Sequence, residues 1–288
     1  MDADAKVGRG RLSVVATPIG NLEDITLRAL RTLREADVIL AEDTRRTLNL
    51  CRHHSIGTPL RSFHAHTPRA KVDSLVEEMR GGARLALVSD AGTPLVSDPG
   101  AELVRAAAEA GIPVEPIPGA SAPIAALVAS GLSAPSFEFV GFLPRGGGRR
   151  TRALAAIAKA RGAVILFEAP SRIAATLRDL ASVLGPERRA AVCRELTKMH
   201  EEIARDTLEA LAARYAGGTL GEITLVIAAP DTPPEEEREP ASDEEILEWL
   251  DAEALGTKEA ADRLAQREGI PRKDAYKRVL ALATARPE

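Results

Sequence analysis

Short apolar runs alternate with amphipathic stretches along the first half of the chain. Five runs are apolar at nearly every position and have the length of strands: residues 12–16, 38–41, 85–88, 114–117 and 137–140. Four stretches carry apolar residues at spacings of three and four, which is typical of helices: residues 27–35, 71–80, 101–110 and 122–130. Because the strands are almost continuously apolar and alternate with helices, the pattern predicts an α/β fold with a mainly parallel, covered sheet.

The alternation is interrupted at residues 143–150, where a proline, three glycines and three arginines predict a flexible basic connector. It resumes with helices at 152–159, 172–184 and 208–215 and strands at 163–167, 190–195 and 223–228. Three short helices are expected at the C-terminal end, with Ser242 and Glu245 forming a capping box on the first and Pro271 starting the last. We expect five parts: an N-terminal α/β domain (1–142), a basic glycine-rich linker (143–151), a second, smaller α/β domain (152–230), an acidic proline-rich linker (231–241) and a helical C-terminal module (242–288).

The composition is that of a globular protein. Of the 288 residues, 45% are hydrophobic and 28% are charged. No apolar run approaches the ~18–20 residues that span a bilayer, and the acidic N-terminal residues lack the apolar core of a signal peptide. Cys51 and Cys193 lie far apart and do not suggest a disulfide framework. We therefore expect a cytoplasmic protein.

A run of small residues, acids and prolines, SDAGTPLVSDPG at residues 89–100, follows the strand predicted at 85–88. Ligands of open α/β sheets bind beyond the carboxyl ends of the strands, where small side chains let the backbone reach them. An ordinary strand-to-helix turn explains one or two of these residues but not ten in a row. Two other strands end in similar loops, TPIGNL at 17–22 and PGASA at 118–122, and the first of these is neither a G-x-G-x-x-G nor a Walker loop. The three loops together predict a binding site at one edge of the sheet.

Charged motifs follow two of the strands. Residues 42–46, EDTRR, either start a helix, with acids at the positive end of its dipole, or form a polar wall that holds a substrate and supplies a base. Residues 194–202, RELTKMHEE, are either a solvated strand end with surface ion pairs or part of the site. Cys51 and the four histidines at 53, 54, 64 and 66 match no usual zinc spacing, so no metal is expected.

Two basic segments are candidates for contact with nucleic acid. Arg145, Arg149 and Arg150 belong either to a solvated linker or to a phosphate-binding surface. From Lys258 onward eight basic residues face five acids, which is typical of a small nucleic-acid-binding module and equally of amphipathic helices packed on the body. The net charge of −4 argues against a general nucleic-acid coat but leaves room for local patches.

Six runs along the chain, taken in order, resemble the signature blocks of the ribosomal RNA small subunit methyltransferase I family, a branch of the tetrapyrrole methylases. They are TPIGN at 17–21, AEDTR at 41–45, the run at 89–100, GFLP at 141–144, RELTK at 194–198 and GE at 221–222. The resemblance spans residues 12–282 and implies two α/β domains with S-adenosylmethionine between them, in a homodimer. It also implies methylation of the ribose 2′-hydroxyl of a cytidine in the decoding region of small-subunit (16S) rRNA, with free rRNA or the 30S subunit as the partner.

The resemblance also implies the site residues. Its cofactor positions correspond here to Ile19, Ser89, Asp90, Ala91, Gly92, Leu95, Ser121, Ala122, Phe167 and Glu168. Residues 17–21 replace the first glycine-rich loop of the tetrapyrrole relatives, which weakens the case for a tetrapyrrole substrate. Methyl transfer from a sulfonium needs alignment and, for a weakly acidic hydroxyl, a base or a cation. Asp43 and Glu195 are the candidate bases, and Arg45 and Lys198 the candidate charge stabilisers.

Two other functions are compatible with the sequence. A sister methylase acting on a small, tetrapyrrole-like molecule would need neither the basic linker nor the tail, so truncation at residue 231 would leave its activity unchanged. A nucleic-acid-binding regulator would bind the cofactor without turnover, and residues 241–288 alone would bind duplex DNA.

Overall fold

The first half of the chain folds into a five-stranded sheet in which every neighbouring pair of strands is parallel. The computed structural model describes residues 10–132, 134–230, 241–252, 255–268 and 270–284. The strands are Arg11–Val15 (β1), Val38–Ala41 (β2), Leu60–Ser62 (β3), Arg84–Val88 (β4) and Val114–Ile117 (β5). Their order in the sheet is β3-β2-β4-β1-β5, so β4 and β1 occupy its centre.

Helices cover both faces of this sheet. They are Leu27–Glu35 (α1), Thr44–His53 (α2), Arg69–Arg80 (α3) and Ala101–Glu109 (α4). The helix that follows β5, Ala122–Ser130 (α5), packs on the second sheet instead. In β4, Leu85 and Leu87 pack into a core shared with α3 and α4, whereas Ala86 and Val88 pack into a core shared with α1 and α2. Burial on both faces explains why the strand is apolar at four successive positions.

A second sheet of five strands follows in the same unit of the chain, residues 1–233. Its strands are Phe137–Phe142 (β6), Ala163–Glu168 (β7), Arg189–Arg194 (β8), Glu202–Thr207 (β9) and Ile223–Ile227 (β10), and their order is β6-β7-β10-β8-β9. Only the β6–β7 pair is parallel. The helices Gly147–Ala158 (α6), Ile173–Leu184 (α7) and Leu208–Arg214 (α8) accompany this sheet, so the α/β class predicted from the sequence is confirmed.

The edge strand β6 belongs to the second sheet, although the sequence pattern groups it with residues 1–142. Phe139 pairs with Ile165 of β7, so the first sheet ends with β5. The connector expected to be flexible at 143–151 is in part helical, because α6 begins at Gly147. Arg150 fastens its first turn to α7 through Asp179, which removes the freedom that the three glycines suggest.

Two strands and one α-helix of this unit are absent from the sequence prediction. The strand β3 has only three residues, and β9 is an edge strand whose central Arg205 and Asp206 face solvent, so neither shows an apolar run. The helix α2 buries Thr47, Leu50 and Cys51 at helical spacing beneath a charged surface, in agreement with the helix-start interpretation of residues 42–46.

One helix of the first half covers the second sheet. Ala126 of α5 packs with Ile165, Ala191, Cys193 and Val226, which lie on one face of that sheet. Ile19, from the loop after β1, joins the same core. The loops at the carboxyl ends of the first sheet are therefore held against the second sheet, and this contact positions the site described below.

Residues 234–288 form a separate unit, in which three helices surround Trp249. The helices are Asp243–Asp251 (α9), Thr257–Glu268 (α10) and Arg272–Thr284 (α11). Ser242 accepts a hydrogen bond from the Glu245 backbone N–H at 3.1 Å, as the capping motif predicts, while the Glu245 carboxylate pairs with Arg267. The expected acidic linker, apart from Ala241, lies outside the described residues, as do the N-terminal acids and Arg286. None of the helices within the described ranges has the length and apolarity needed to cross a bilayer.

Candidate active site

The carboxyl ends of strands from both sheets surround a cavity of about 380 Å³, which is within the usual range for a small-molecule site. From the first sheet come Ile19 after β1, the loop 90–98 after β4, and Ser121 and Ala122 after β5. From the second sheet come the residues at the ends of β6, β7 and β8 and the start of β10: Phe142, Phe167, Glu168, Ala169, Pro170, Cys193, Leu196, Gly221, Glu222, Ile223 and Thr224. Binding beyond the strand ends is the arrangement that the sequence predicts.

Eight of the ten residues proposed from the resemblance as cofactor-binding line this cavity: Ile19, Asp90, Ala91, Gly92, Ser121, Ala122, Phe167 and Glu168. The other two, Ser89 and Leu95, lie behind the lining. Ser89 is buried and donates to the Gly92 carbonyl at 3.3 Å, and Leu95 packs against the core of the first sheet. These two side chains shape the loop.

The loops after β1 and β4 are held together by their backbones. Thr17 and Gly92 exchange two hydrogen bonds, of 2.8 and 3.0 Å, and the Thr17 hydroxyl also donates to the Ser89 carbonyl at 3.3 Å. Leu95 and Ser97 have positive φ angles of 73° and 70°, which L residues rarely adopt. Strained backbone conformations of this kind are found mainly at functional sites, where the surrounding structure enforces them.

Glu168 is the most completely enclosed charge of the cavity wall, with its side chain fully buried at the end of β7. Its carboxylate accepts hydrogen bonds from the Thr176 hydroxyl at 2.5 Å and from the Ala169 backbone N–H at 2.8 Å. The Arg172 guanidinium lies 3.2 Å away and neutralises the charge. Glu168 therefore fixes the turn that follows β7, and both of its carboxylate oxygens are engaged.

Two arginines continue this network to the end of β6. Arg172 donates to the Leu143 carbonyl at 2.7 Å, next to the cavity-lining Phe142. Arg150 donates to Asp179 at 2.7 and 2.8 Å, to the Thr176 hydroxyl at 3.0 Å and to the Pro144 carbonyl at 3.0 Å. The sequence makes Arg150 a candidate for contact with RNA, but its guanidinium is engaged inside the protein, and this makes it a structural residue.

Asp43, a candidate base, caps α2. Its carboxylate accepts from the Arg45 backbone N–H at 2.9 Å and from the Arg45 guanidinium at 3.1 and 2.8 Å. These bonds lower the pKa of Asp43 to about 2. Neither Asp43 nor Arg45 belongs to the cavity lining, whereas Arg46 does, 3.7 Å from Asp90. This geometry does not favour proton transfer to Asp43.

The second candidate base, Glu195, does not belong to the cavity lining but contacts Glu222, which does. It accepts from Lys198 at 2.8 Å and from the Glu222 backbone N–H at 2.8 Å, and these bonds lower the pKa of Glu195. Burial lowers the pKa of Lys198, but its bonds to Glu195 and to Glu222 raise it on balance. A Cβ on Gly221, whose φ is 89°, would stand 2.5 Å from the Glu195 Cγ, so only glycine fits there.

Several lining residues were not singled out from the sequence. Asp98 and Phe142 stand within quoted motifs, and their place in those motifs was the available signal. Cys193 and Thr224 lie inside strands, where nothing in the sequence distinguishes a cavity-facing side chain from a core one. Cys51 is buried in the core beside α1, and the described residues contain no cluster of three metal-ligating side chains.

Comparison with known proteins places the chain in a family. The family model for Tetrapyrrole (Corrin/Porphyrin) Methylases matches residues 11–212. A protein of Halalkalibacterium halodurans named ribosomal RNA small subunit methyltransferase I is 44% identical over 93% of this chain and 94% of its own length. The protein of that name from Synechocystis is 46% identical over 95% and 98%. The chain belongs to the ribosomal RNA small subunit methyltransferase I family.

The solved structures agree on the fold. A uroporphyrin-III C-methyltransferase from Thermus thermophilus, complexed with S-adenyl homocysteine, superposes with a TM-score of 0.56 at 22% identity, over 75% of this chain and 97% of its own. Family membership makes this protein a methyltransferase with S-adenosylmethionine as its cofactor. The cavity fits that molecule. Asp90 and Asp98 line it and would offset the positive charge of the sulfur, and Phe142 and Phe167, with ring centroids 5.4 Å apart, form an aromatic wall.

Proposed function

We propose that this protein methylates the ribose 2′-hydroxyl of a cytidine in the decoding region of small-subunit rRNA, in the cytoplasm. The observation that carries the proposal is the cavity itself. It is built from the same motifs that resemble the family, and relatives 44% and 46% identical over more than nine-tenths of both chains are named for the small-subunit RNA. A 2′-hydroxyl target would distinguish RNA from DNA.

The chain's own residues align the reactants. S-adenosylmethionine, when bound, supplies a methyl group attached to a positively charged sulfur. The strained loop 92–98 and the wall around Glu168 hold the cavity in one shape, and this fixed geometry lowers the entropic barrier of an in-line displacement. Glu195 and Lys198 both contact Glu222 of the cavity lining, and we propose that they bind the incoming ribose and phosphate.

The basic start of α6 is the proposed RNA contact next to the cavity. Arg145 and Arg149 are exposed and make no ion pair with any residue in the described ranges. Arg145 is three residues from Phe142, which lines the cavity. These two guanidiniums have no ion-pair partner in the described ranges and follow a cavity-lining residue closely in the chain. They would therefore bind the phosphates that flank the target nucleotide. Arg150 is not part of this surface.

The C-terminal unit offers a second basic surface. Arg267, Arg272 and Arg278 pair with acids of the same unit. Lys258, Lys273 and Lys277 are exposed and have no ion pair within the described residues. We propose that these lysines supply additional contacts to the rRNA backbone, so that removing residues 231–288 would weaken RNA binding.

We also propose a homodimer. Large apolar side chains remain exposed on one helix and on the edge strand: Val128 is 77% exposed and Ile124 46% on α5, and Phe137 is 44% exposed on β6. Apolar surface of this kind is costly in water unless a partner covers it. Light scattering of Val128→Lys beside the parent protein tests this, and a parent that runs as a monomer would contradict it.

Transfer of labelled methyl from S-adenosylmethionine to small ribosomal subunits that lack their own modification tests the function, with the product mapped by nuclease digestion. A single 2′-O-methylcytidine in the decoding region is the expected result. Absence of transfer to subunits and to free rRNA, despite measurable cofactor binding, would overturn the proposal.

A further inference from the structure

Arg46 is the one basic residue within the described ranges that lines the cavity. The other charged members of the lining are carboxylates, namely Asp90, Asp98, Glu168 and Glu222. Arg45, the candidate charge stabiliser, is outside the lining and donates to Asp43 at 2.8 and 3.1 Å. The sulfur of the cofactor is itself positively charged, so it gives no reason for a cation here. Arg46 therefore indicates a different, negatively charged ligand.

The guanidinium of Arg46 has donors to spare. Its side chain is 61% exposed, and its Nε lies 3.7 Å from the Asp90 Oδ2, beyond the roughly 3.2 Å limit of an N–H···O hydrogen bond. It makes no hydrogen bond with any residue that the structure describes. A guanidinium carries several N–H donors in a fixed fork, so the loose pair with Asp90 holds Arg46 beside the cavity without occupying that fork.

The backbone that carries Arg46 is fixed at the edge of the first sheet. The Asp43 carboxylate caps α2 by accepting the Arg45 backbone N–H at 2.9 Å. The backbone N–H of Asp43 donates to the Asp90 Oδ1 at 2.9 Å, which ties the start of α2 to the loop after β4. Thr47, the residue after Arg46, is buried. The side chain of Arg46 thus extends from a rigid turn beside the cavity, and little freedom is lost when it binds a ligand.

We propose that Arg46 binds the 3′-phosphodiester of the nucleotide that is methylated; this inference rests on the proposed function. In an RNA chain the carbon that carries the 2′-hydroxyl is bonded to the carbon that carries the 3′-phosphodiester, so this anion has to accompany the hydroxyl to the cavity. The planar fork of arginine matches two phosphate oxygens at once. Arg46 follows β2 of the first sheet, whereas Arg145 and Arg149 follow β6 of the second, so both sheets contribute cations to hold the RNA strand.

The test compares Arg46→Gln, Arg46→Lys and the parent protein as full chains, with small ribosomal subunits lacking the modification and labelled S-adenosylmethionine. We expect Arg46→Gln to raise KM for the subunits by about 10- to 100-fold with kcat nearly unchanged, and to make the dependence of log KM on log salt shallower by about 1. Arg46→Lys keeps the charge but not the fork, so it should keep the salt slope and recover only part of KM. Arg52→Gln is the matched control, because it removes an exposed guanidinium from the same helix outside the cavity lining, and it should behave like the parent.

The outcomes separate this assignment from the proposed function. A parent protein that transfers no methyl group to subunits or to free rRNA contradicts the proposed function. If the parent methylates and Arg46→Gln keeps both its KM and its salt slope, the phosphate contact is wrong and the function stands. S-adenosylmethionine also carries a carboxylate, so its affinity is measured by calorimetry and should change by less than about threefold in Arg46→Gln. A loss of more than about tenfold with the salt slope intact would assign Arg46 to the cofactor and overturn the phosphate contact.

Discussion

Removing the hydroxyl of Thr176 should weaken the hydrogen bonds that hold the cavity wall, while the size of the side chain stays nearly the same. Thr176 is fully buried in α7, and its hydroxyl donates to Glu168 at 2.5 Å and accepts from Arg150 at 3.0 Å. Thr176→Val replaces this side chain with one of nearly the same size that makes neither bond. The Glu168 carboxylate then keeps only the Ala169 N–H and Arg172 as partners inside a buried site.

The magnitude follows from the two bonds. A hydrogen bond to a buried carboxylate contributes about 1.5–3 kcal/mol. The bond from Arg150 adds less than about 1 kcal/mol, because that guanidinium keeps Asp179 and the Pro144 carbonyl as acceptors. We therefore expect the free energy of unfolding to fall by about 2–4 kcal/mol, equivalent to a Tm lower by roughly 5–15 °C for a unit of this size.

Urea unfolding followed by circular dichroism measures the change, and calorimetry measures the accompanying loss of affinity for S-adenosylmethionine. Thr176→Ser keeps the hydroxyl and loses one methyl group, so it should cost only about 1 kcal/mol. Thr151→Val, on the exposed side of α6, controls for the substitution itself and should stay within about 0.5 kcal/mol. If Thr176→Val also stays within that range, the Glu168 network does not stabilise the wall and the reasoning fails.

Three other predictions rest on single positions. Gly221→Ala should lower the free energy of unfolding in urea by more than about 2 kcal/mol, because its Cβ would stand 2.5 Å from the Glu195 Cγ. The control is Gly57→Ala, whose Cβ meets open space and which should change this free energy by less than about 1 kcal/mol. Burial raises the pKa of Cys193 to about 11 and also raises the pKa of Cys51. Neither thiol should therefore react rapidly with a thiol reagent at pH 8 in the native protein, and fast reaction of either would contradict its buried position. Asp43→Asn should retain at least about a tenth of the parent turnover in the methyl-transfer assay, because asparagine also caps helices, and a deeper loss with cofactor binding intact would return the base role to Asp43.

Local patterns in the sequence predicted most of the elements and the place of the site. A strand buried on both faces has to be apolar throughout, as β4 is. A loop that approaches a ligand needs small residues, and the run at 89–100 contains them. Caps are equally local, since the Ser242 oxygen reaches an N–H only three residues away. These features depend on neighbours in the chain, so they are visible without a structure.

Partners distant in the chain were decided only by the tertiary structure. The apolar pattern of β6 is the same whether it joins the first sheet or the second, and only its hydrogen bonds to β7 assign it. Arg150 looks like an RNA ligand until Asp179, 29 residues further on, occupies its guanidinium.

The same holds for the charges of the site. Asp43 and Glu195 are acids in motifs, as Asp98 is, yet the first two are paired and Asp98 has no ion pair within the described residues. Hydrophobic periodicity is a property of each segment and is therefore present in the sequence. The availability of a charge depends on what lies within about 4 Å of it, and folding alone sets that distance.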